Sequence, residues 1–159
     1  MAYPTAGRWS VSNSRHPGLM PESTPADLGA AWAQRDAEAS ALDAAGHSSM
    51  AIALRLYSLE IRLKAMICGH LGLQLLPGAC KTHDLGELLL FTGLWGDLRS
   101  PGNNLVLVSW DLLAEFSKKR LNDLRYQPAE KLEDAERAKL AAALDDPNEG
   151  VLPWLSRPR

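Results

Sequence analysis

Apolar residues recur at spacings of three and four along most of this chain, and the gaps between those stretches collect glycine, proline and asparagine. The clearest stripe is Ile52, Leu56, Leu59, Leu63, Met66, Ile67 and His70, widened by Ala53, Tyr57 and Cys68. It predicts a helix from 48 to 70 or 71 that is apolar on more than one side and therefore central. Gly69 and Gly72 weaken its end, and Pro77-Gly78 predicts a turn. Upstream, Thr24 has the form of an N-cap, Pro25 suits the first helical position, and Asp27 falls in the first turn. Leu28, Ala31, Trp32, Ala39 and Leu42 then share a face, with Gly46 as the stop.

Asp84-Leu85-Gly86-Glu87 has the form of a capping box and opens a third helix through Leu85, Leu88, Leu89 and Thr92. Residues 93–104 read as a loop, on Gly96, Pro101, Gly102 and the asparagine pair. A fourth helix is expected over 105–124, with Trp110, Leu113, Phe116, Leu121 and Leu124 inward. Alternation of Val106, Val108 and Trp110 with Leu107 and Ser109 allows a short extended piece at its start. A fifth helix is expected from Pro128 to about 144, with Leu132, Ala135, Leu140 and Leu144 inward and Asp146-Pro147 as its end. The apolar tail 151–155 is expected to dock on the bundle. Residues 1–22 are rich in Ser, Pro and Gly without periodicity, and read as a flexible arm that Trp9 could pin in part. The remainder, 23–159, reads as one domain. The fold class is all-α, an antiparallel up-and-down bundle of about five helices.

At 159 residues, with 46% hydrophobic and 23% charged content, the chain matches a soluble globular domain with a real core. Its net charge of -2 excludes a general attraction to nucleic acid, so a phosphate-binding surface would have to be a local patch. Cys68 and Cys80 make no disulfide framework, and with the four histidines they are too scattered for a metal-ligand spacing. No metal and no cofactor is expected. A glycine-rich phosphate loop and a nucleophile elbow are both missing. The N-terminal stretch has no continuous apolar run of the export type. The most apolar segment, 50–76, is interrupted by Arg55, Glu60, Arg62, Lys64 and His70, too charged to span a bilayer. A cytoplasmic protein without a membrane partner is expected.

Three segments in order carry a resemblance to a known family. They are Leu42-Asp43-Ala44-Ala45-Gly46 with the helix through Glu60-Ile61-Arg62-Leu63-Lys64-Ala65; Thr82-His83-Asp84-Leu85; and Asp123-Leu124-Arg125-Tyr126-Gln127-Pro128 with Asp134-Ala135-Glu136-Arg137-Ala138. Together, over 27–155, they resemble the HEPN family (higher eukaryotes and prokaryotes nucleotide-binding domains). The resemblance implies an up-and-down bundle that forms a homodimer, here through the second and fourth helices. It also implies a role as an RNase, as a toxin or antiviral effector, as a nucleotide-binding module, or as a scaffold beside a nucleotidyltransferase. Catalytic members carry Arg and then His on a late helix. This chain departs from that pattern: its histidines are His16, His47, His70 and His83, and none follows Arg125. Metal-independent RNA cleavage needs a base for the 2′-hydroxyl. No catalytic residue is therefore assigned.

The candidate ligand residues are His83, Asp84, Arg125 and Tyr126, supported by Lys64 or Arg62. Each has two readings. His83-Asp84 is either a cap with a packed histidine, or a polar site where helix amides favour a phosphate and histidine adds a titratable donor. Arg125 either pairs with Glu60 or Asp84 while Tyr126 packs on the bundle, or it binds phosphate while Tyr126 stacks on a base. Glu60, Arg62 and Lys64 on an apolar helix form an internal network, or line a groove or a dimer face. Lys118-Lys119-Arg120 is either a solvated face or an RNA contact. The leading expectation is a non-catalytic binding or regulatory module for a nucleotide, an RNA or a nucleotidyltransferase, in a defence or toxin–antitoxin setting. The alternatives are an RNase with His83 as a non-standard base beside Arg125, and a purely structural subunit of a complex.

Overall fold

Two long helices joined by a tight turn form the frame. In the computed structural model, which describes residues 23–128 and 132–158, α1 spans Pro25–Ala44 and α2 spans Ser48–Leu71. Thr24 caps α1: its hydroxyl accepts from the Asp27 amide at 3.2 Å and the Asp27 carboxylate accepts from the Thr24 amide at 3.1 Å. Two orphan donors of the first turn are thus satisfied together. Gly46, at φ +85, makes the left-handed step that ends α1 and reverses the chain. Gly72, at φ +63, does the same for α2.

α2 is the central helix. Leu56, Leu59, Leu63 and Ile67 are fully buried along it. α1 covers one side and is tied down where the Ser58 hydroxyl donates to the Trp32 carbonyl at 2.8 Å. The other side receives α3 (Leu85–Phe91), α5 (Asn104–Lys119) and α6 (Asp134–Asp145). These contribute Leu88 and Leu89, Trp110 and Leu113, and Leu140 and Leu144 to one continuous core. α7 (Val151–Leu155) buries Val151, Trp154 and Leu155 in the same core, as the apolar tail predicted. The described residues are helical or irregular and contain no strand, so the fold is the expected all-α bundle.

The differences from expectation lie where tertiary contacts override local signals. Residues 93–104 are not an open loop. They hold the short helix α4 (Trp95–Leu98) and a 3₁₀ turn, Pro101–Asn103. Leu98 is buried, the Asn103 side-chain amide donates to the Asp97 carbonyl at 2.8 Å, and the Trp154 indole donates to the Asp97 carboxylate at 3.0 Å. α5 is helical from Asn104, with no extended start, and ends at Lys119 rather than 124. A 3₁₀ turn, Asp123–Arg125, follows it. α6 begins at Asp134, so Pro128 is not its first residue, and Ala135 is exposed. Leu132 is buried all the same, ahead of the helix. His70, placed on the inner stripe by spacing, is exposed in the last turn of α2. The arm expected over 1–22, Trp9 included, lies outside the described residues.

Gly150 is the tightest glycine among the described residues. A Cβ there would lie 2.6 Å from the Asp146 nitrogen and 2.5 Å from its oxygen, in rigid backbone where α6 hands over to α7. Leu59→Ala should lower stability to urea by about 2–5 kcal/mol, as for other emptied core leucines. Gly150→Ala should cost about 1–3 kcal/mol, as overpacking does. A Gly150→Ala protein as stable as wild type would mean that the α6–α7 corner gives way easily.

Candidate functional site

Glu60 is only 7% exposed on the central helix, and a buried carboxylate needs partners. One comes from its own helix: Lys64, one turn on, puts Nζ 2.6 Å from Oε1. The other comes from the loop before α3, where His83 Nδ1 lies 3.0 and 3.1 Å from the two carboxylate oxygens. A carboxylate only accepts, so His83 Nδ1 is the donor in this contact and Nε2 points away from Glu60. The His83 side chain is 72% exposed, so the ring joins a buried charge to solvent.

The α3 cap holds that loop in place. Asp84 Oδ1 accepts from the amides of Gly86 at 2.8 Å and Glu87 at 3.2 Å. These bonds, the Glu87 amide first, hold the Asp84 carboxyl below the ordinary carboxylate range against the effect of burial. The reciprocal half of the capping box is not made by Glu87. The Thr82 hydroxyl accepts from the Asp84 amide instead, at 3.1 Å. Asp84 therefore fills the anion position at this helix end itself, and the reading of a phosphate held by the α3 amides is corrected. Its other oxygen faces Lys118 Nζ at 3.5 Å.

Arg125 enters from the turn after α5. Its partner is neither Glu60 nor Asp84. Nε and Nη2 both donate to the Tyr57 hydroxyl, at 2.9 and 2.5 Å, and the guanidinium stands 5.2 Å from the ring centroid. Tyr57, Glu60 and Lys64 fall at i, i+3 and i+7, on one face of α2. Among the described residues no carboxylate stands within ion-pair distance of Arg125. Within that set its guanidinium is oriented by the Tyr57 hydroxyl and meets no carboxylate.

Two hollows meet over these groups. One, of 270 Å³, is lined by Tyr57, Glu60, His83, Asn122 and Arg125. The other, of 280 Å³, is lined by Thr82, His83, Asp84, Lys118 and Asn122. Together they make a polar groove across α2, the α3 cap and the end of α5. Lys118 and Arg125 line it together with the carboxylates of Glu60 and Asp84, and Lys64, outside the linings, pairs with Glu60.

The groove thus unites His83, Asp84 and Arg125 of the expected set, with Lys64 beside it as the partner of Glu60. It does not include the other two. Arg62 points to the far side of α2, where it donates to Ser156 Oγ at 2.9 Å and lies 5.1 Å from the Trp32 centroid. Tyr126 is 84% exposed and does not pack on the bundle. Sequence reasoning missed Tyr57, which looked like core, and Asn122, which no motif marked. The i, i+3, i+7 spacing of Tyr57, Glu60 and Lys64 was the available signal. The basic run is divided: Lys118 faces the groove, Lys119 pairs with Glu115 at 2.6 Å, and Arg120 pairs with Glu136. The described residues contain no cluster of His, Cys, Asp or Glu fit for a metal ion. Comparison of the chain with protein-family models, with curated proteins and with solved structures gives no match.

Asp84 generates a prediction with a definite sign. Its folded pKa is depressed, so its contribution is present above the ordinary carboxylate range, near pH 4, and is lost as pH falls below it. Asp84→Ala should destabilise by about 0.5–2 kcal/mol at neutral pH, the usual worth of an N-cap. The gap to wild type should narrow in acid. A gap that is constant from pH 7 to pH 2 in urea unfolding would show that the ionised carboxylate is not the stabilising species.

Proposed function

We propose that this protein is a non-catalytic binding module that takes a phosphate-bearing ligand, a nucleotide or an RNA end, in the groove between Arg125, His83 and Lys118. The observation that carries the reading is Arg125. A guanidinium oriented by Tyr57 and met by no carboxylate among the described residues offers its remaining donors to an incoming anion, and its planar fork suits phosphate. His83 adds a donor when protonated, and Lys118 adds a mobile charge at the rim. The resemblance of the chain to HEPN domains agrees with this reading, and the missing late-helix histidine favours binding over cleavage.

One observation favours a second reading. His83 backed by buried Glu60 is the arrangement of a general base, with Nε2 free to take a proton. Under that reading the groove cleaves RNA: His83 withdraws the 2′-hydroxyl proton and Arg125 steadies the phosphate.

The homodimer belongs to the same proposal, with a change of face. α2 is enclosed, and its large exposed apolar residues, Met50 and Leu71, sit at its two ends. Leu105, Val108 and Leu112 are exposed on one face of α5, at spacings that form a short stripe about Val108. Turned by a two-fold axis, Leu105 of one copy meets Leu112 of the other.

Titration with ATP, GTP and a short 5′-phosphorylated RNA should raise the unfolding midpoint. The stabilisation at a hundredfold excess over Kd should be about 2.7 kcal/mol. Arg125→Ala should weaken binding at least about tenfold, the worth of charge-assisted hydrogen bonds, while keeping its own fold. No shift with any of the three ligands defeats the binding reading. RNA cleavage that is lost in His83→Ala replaces it with the second.

In light scattering the wild type should be a dimer and Val108→Glu a monomer. A wild type that stays monomeric at high concentration removes the α5 interface.

A further inference from the structure

The largest hollow among the described residues, 330 Å³ between α2 and α6, has its two arginines met already, Arg55 by Asp145 and Arg137 by Asp134. The groove at Arg125 differs, because polar groups without partners stand in its middle. His83, Ser117 and Asn122 line both of its hollows and so form the seam between them. Ser117 lies half-buried in the last turn of α5, and Asn122 is exposed just after that helix. Neither the Ser117 hydroxyl nor the Asn122 side-chain amide has a hydrogen-bond partner among the described residues. No side-chain oxygen or nitrogen in that set is buried without a partner, so both groups are open to the groove.

The backbone sets their place beside Arg125. The Arg125 amide donates to the Asn122 carbonyl at 3.2 Å and closes the 3₁₀ turn Asp123–Arg125. Side chains three residues apart eclipse in such a turn, so the Asn122 amide stands next to the Arg125 side chain. Ser117 lines the same hollow as Arg125, and Lys118 stands in the other. The order along the groove is therefore a charged fork, then an uncharged hydroxyl and amide, then a second hollow of 280 Å³. A nucleoside 5′-phosphate has the same order: a phosphate, a sugar, then a base. Serine and asparagine side chains both donate and accept, as sugar hydroxyls do.

We infer that the groove selects ribonucleotides over deoxyribonucleotides, with Ser117 and Asn122 holding the ribose cis-diol beside the phosphate on Arg125. This rests on the reading of the groove as a phosphate-binding site and names the sugar that goes with it. Two unpaired side chains in one seam match two neighbouring hydroxyls. A 2′-deoxyribose lacks one of these and leaves a side chain without its partner, and the 2′-hydroxyl is the group by which proteins tell RNA from DNA. The seam is open to water, so an unmade hydrogen bond costs less there than in a sealed pocket and the preference is moderate.

The test titrates the isotopically labelled full chain with AMP and with 2′-deoxy-AMP, and reads both dissociation constants from the amide shifts of Asn122 and Lys118. AMP should bind about threefold to tenfold more tightly, the worth of one neutral hydrogen bond. In the double variant Ser117→Ala, Asn122→Ala the two constants should become equal. The wild-type comparison needs no substitution, so the test does not depend on the variant folding. Equal affinity of the wild type for the two nucleotides overturns the inference and leaves phosphate binding in place. A ribose preference that survives in the folded double variant overturns the assignment to Ser117 and Asn122. Binding of neither nucleotide removes the phosphate site at Arg125, and this inference with it.

Discussion

A carboxylate on the inner helix of a bundle cannot be left alone, and much of the order on one side of this protein answers to Glu60. Lys64 supplies charge from the same helix and His83 supplies a donor from a loop more than twenty residues away in sequence. The loop is therefore drawn onto α2, Asp84 is brought to the start of α3, and the groove is fixed at its middle. Buried ion pairs add little net stability over apolar packing of the same volume. This one ties the α2 face to the loop before α3.

The opposite side of α2 is organised by other means. There Arg62 lies beside Trp32 and reaches Ser156, while Trp154 holds Asp97 and Arg157 donates to Asn103 at 2.8 Å. The C-terminal segment thus closes the bundle by pairing with α4 and the turn after it. Most of these groups have buried stems and polar tips, so they seal the core edge and end in hydrogen bonds. The polar contacts on this side are spent within the fold. In the groove Arg125 meets the Tyr57 hydroxyl and, among the described residues, no carboxylate.

The two hollows with arginine differ in what holds the guanidinium. Tyr57 orients Arg125 through its hydroxyl, whereas Asp134 meets Arg137 with a carboxylate that solvent already surrounds.

The helices that local chemistry announces were legible in the sequence. Thr24-Pro25, Gly46, Gly72 and Asp84 act within a turn of themselves, through caps, fixed φ and left-handed steps, so they need no knowledge of the rest of the chain. The long apolar stripe of α2 likewise announced its central place, because a helix apolar on more than one side has to be packed on more than one side. The tertiary structure decided what depends on neighbours distant in sequence. α4 forms inside a glycine- and proline-rich stretch because Leu98 and Asp97 find the core and Trp154. Arg125 takes a phenol in place of the expected carboxylate. Arg62 and Glu60, two residues apart, serve opposite faces, because that spacing turns a helix through more than half a circle. A side chain's type and local spacing limit which partners suit it, and only the packed bundle decides which of them is within reach.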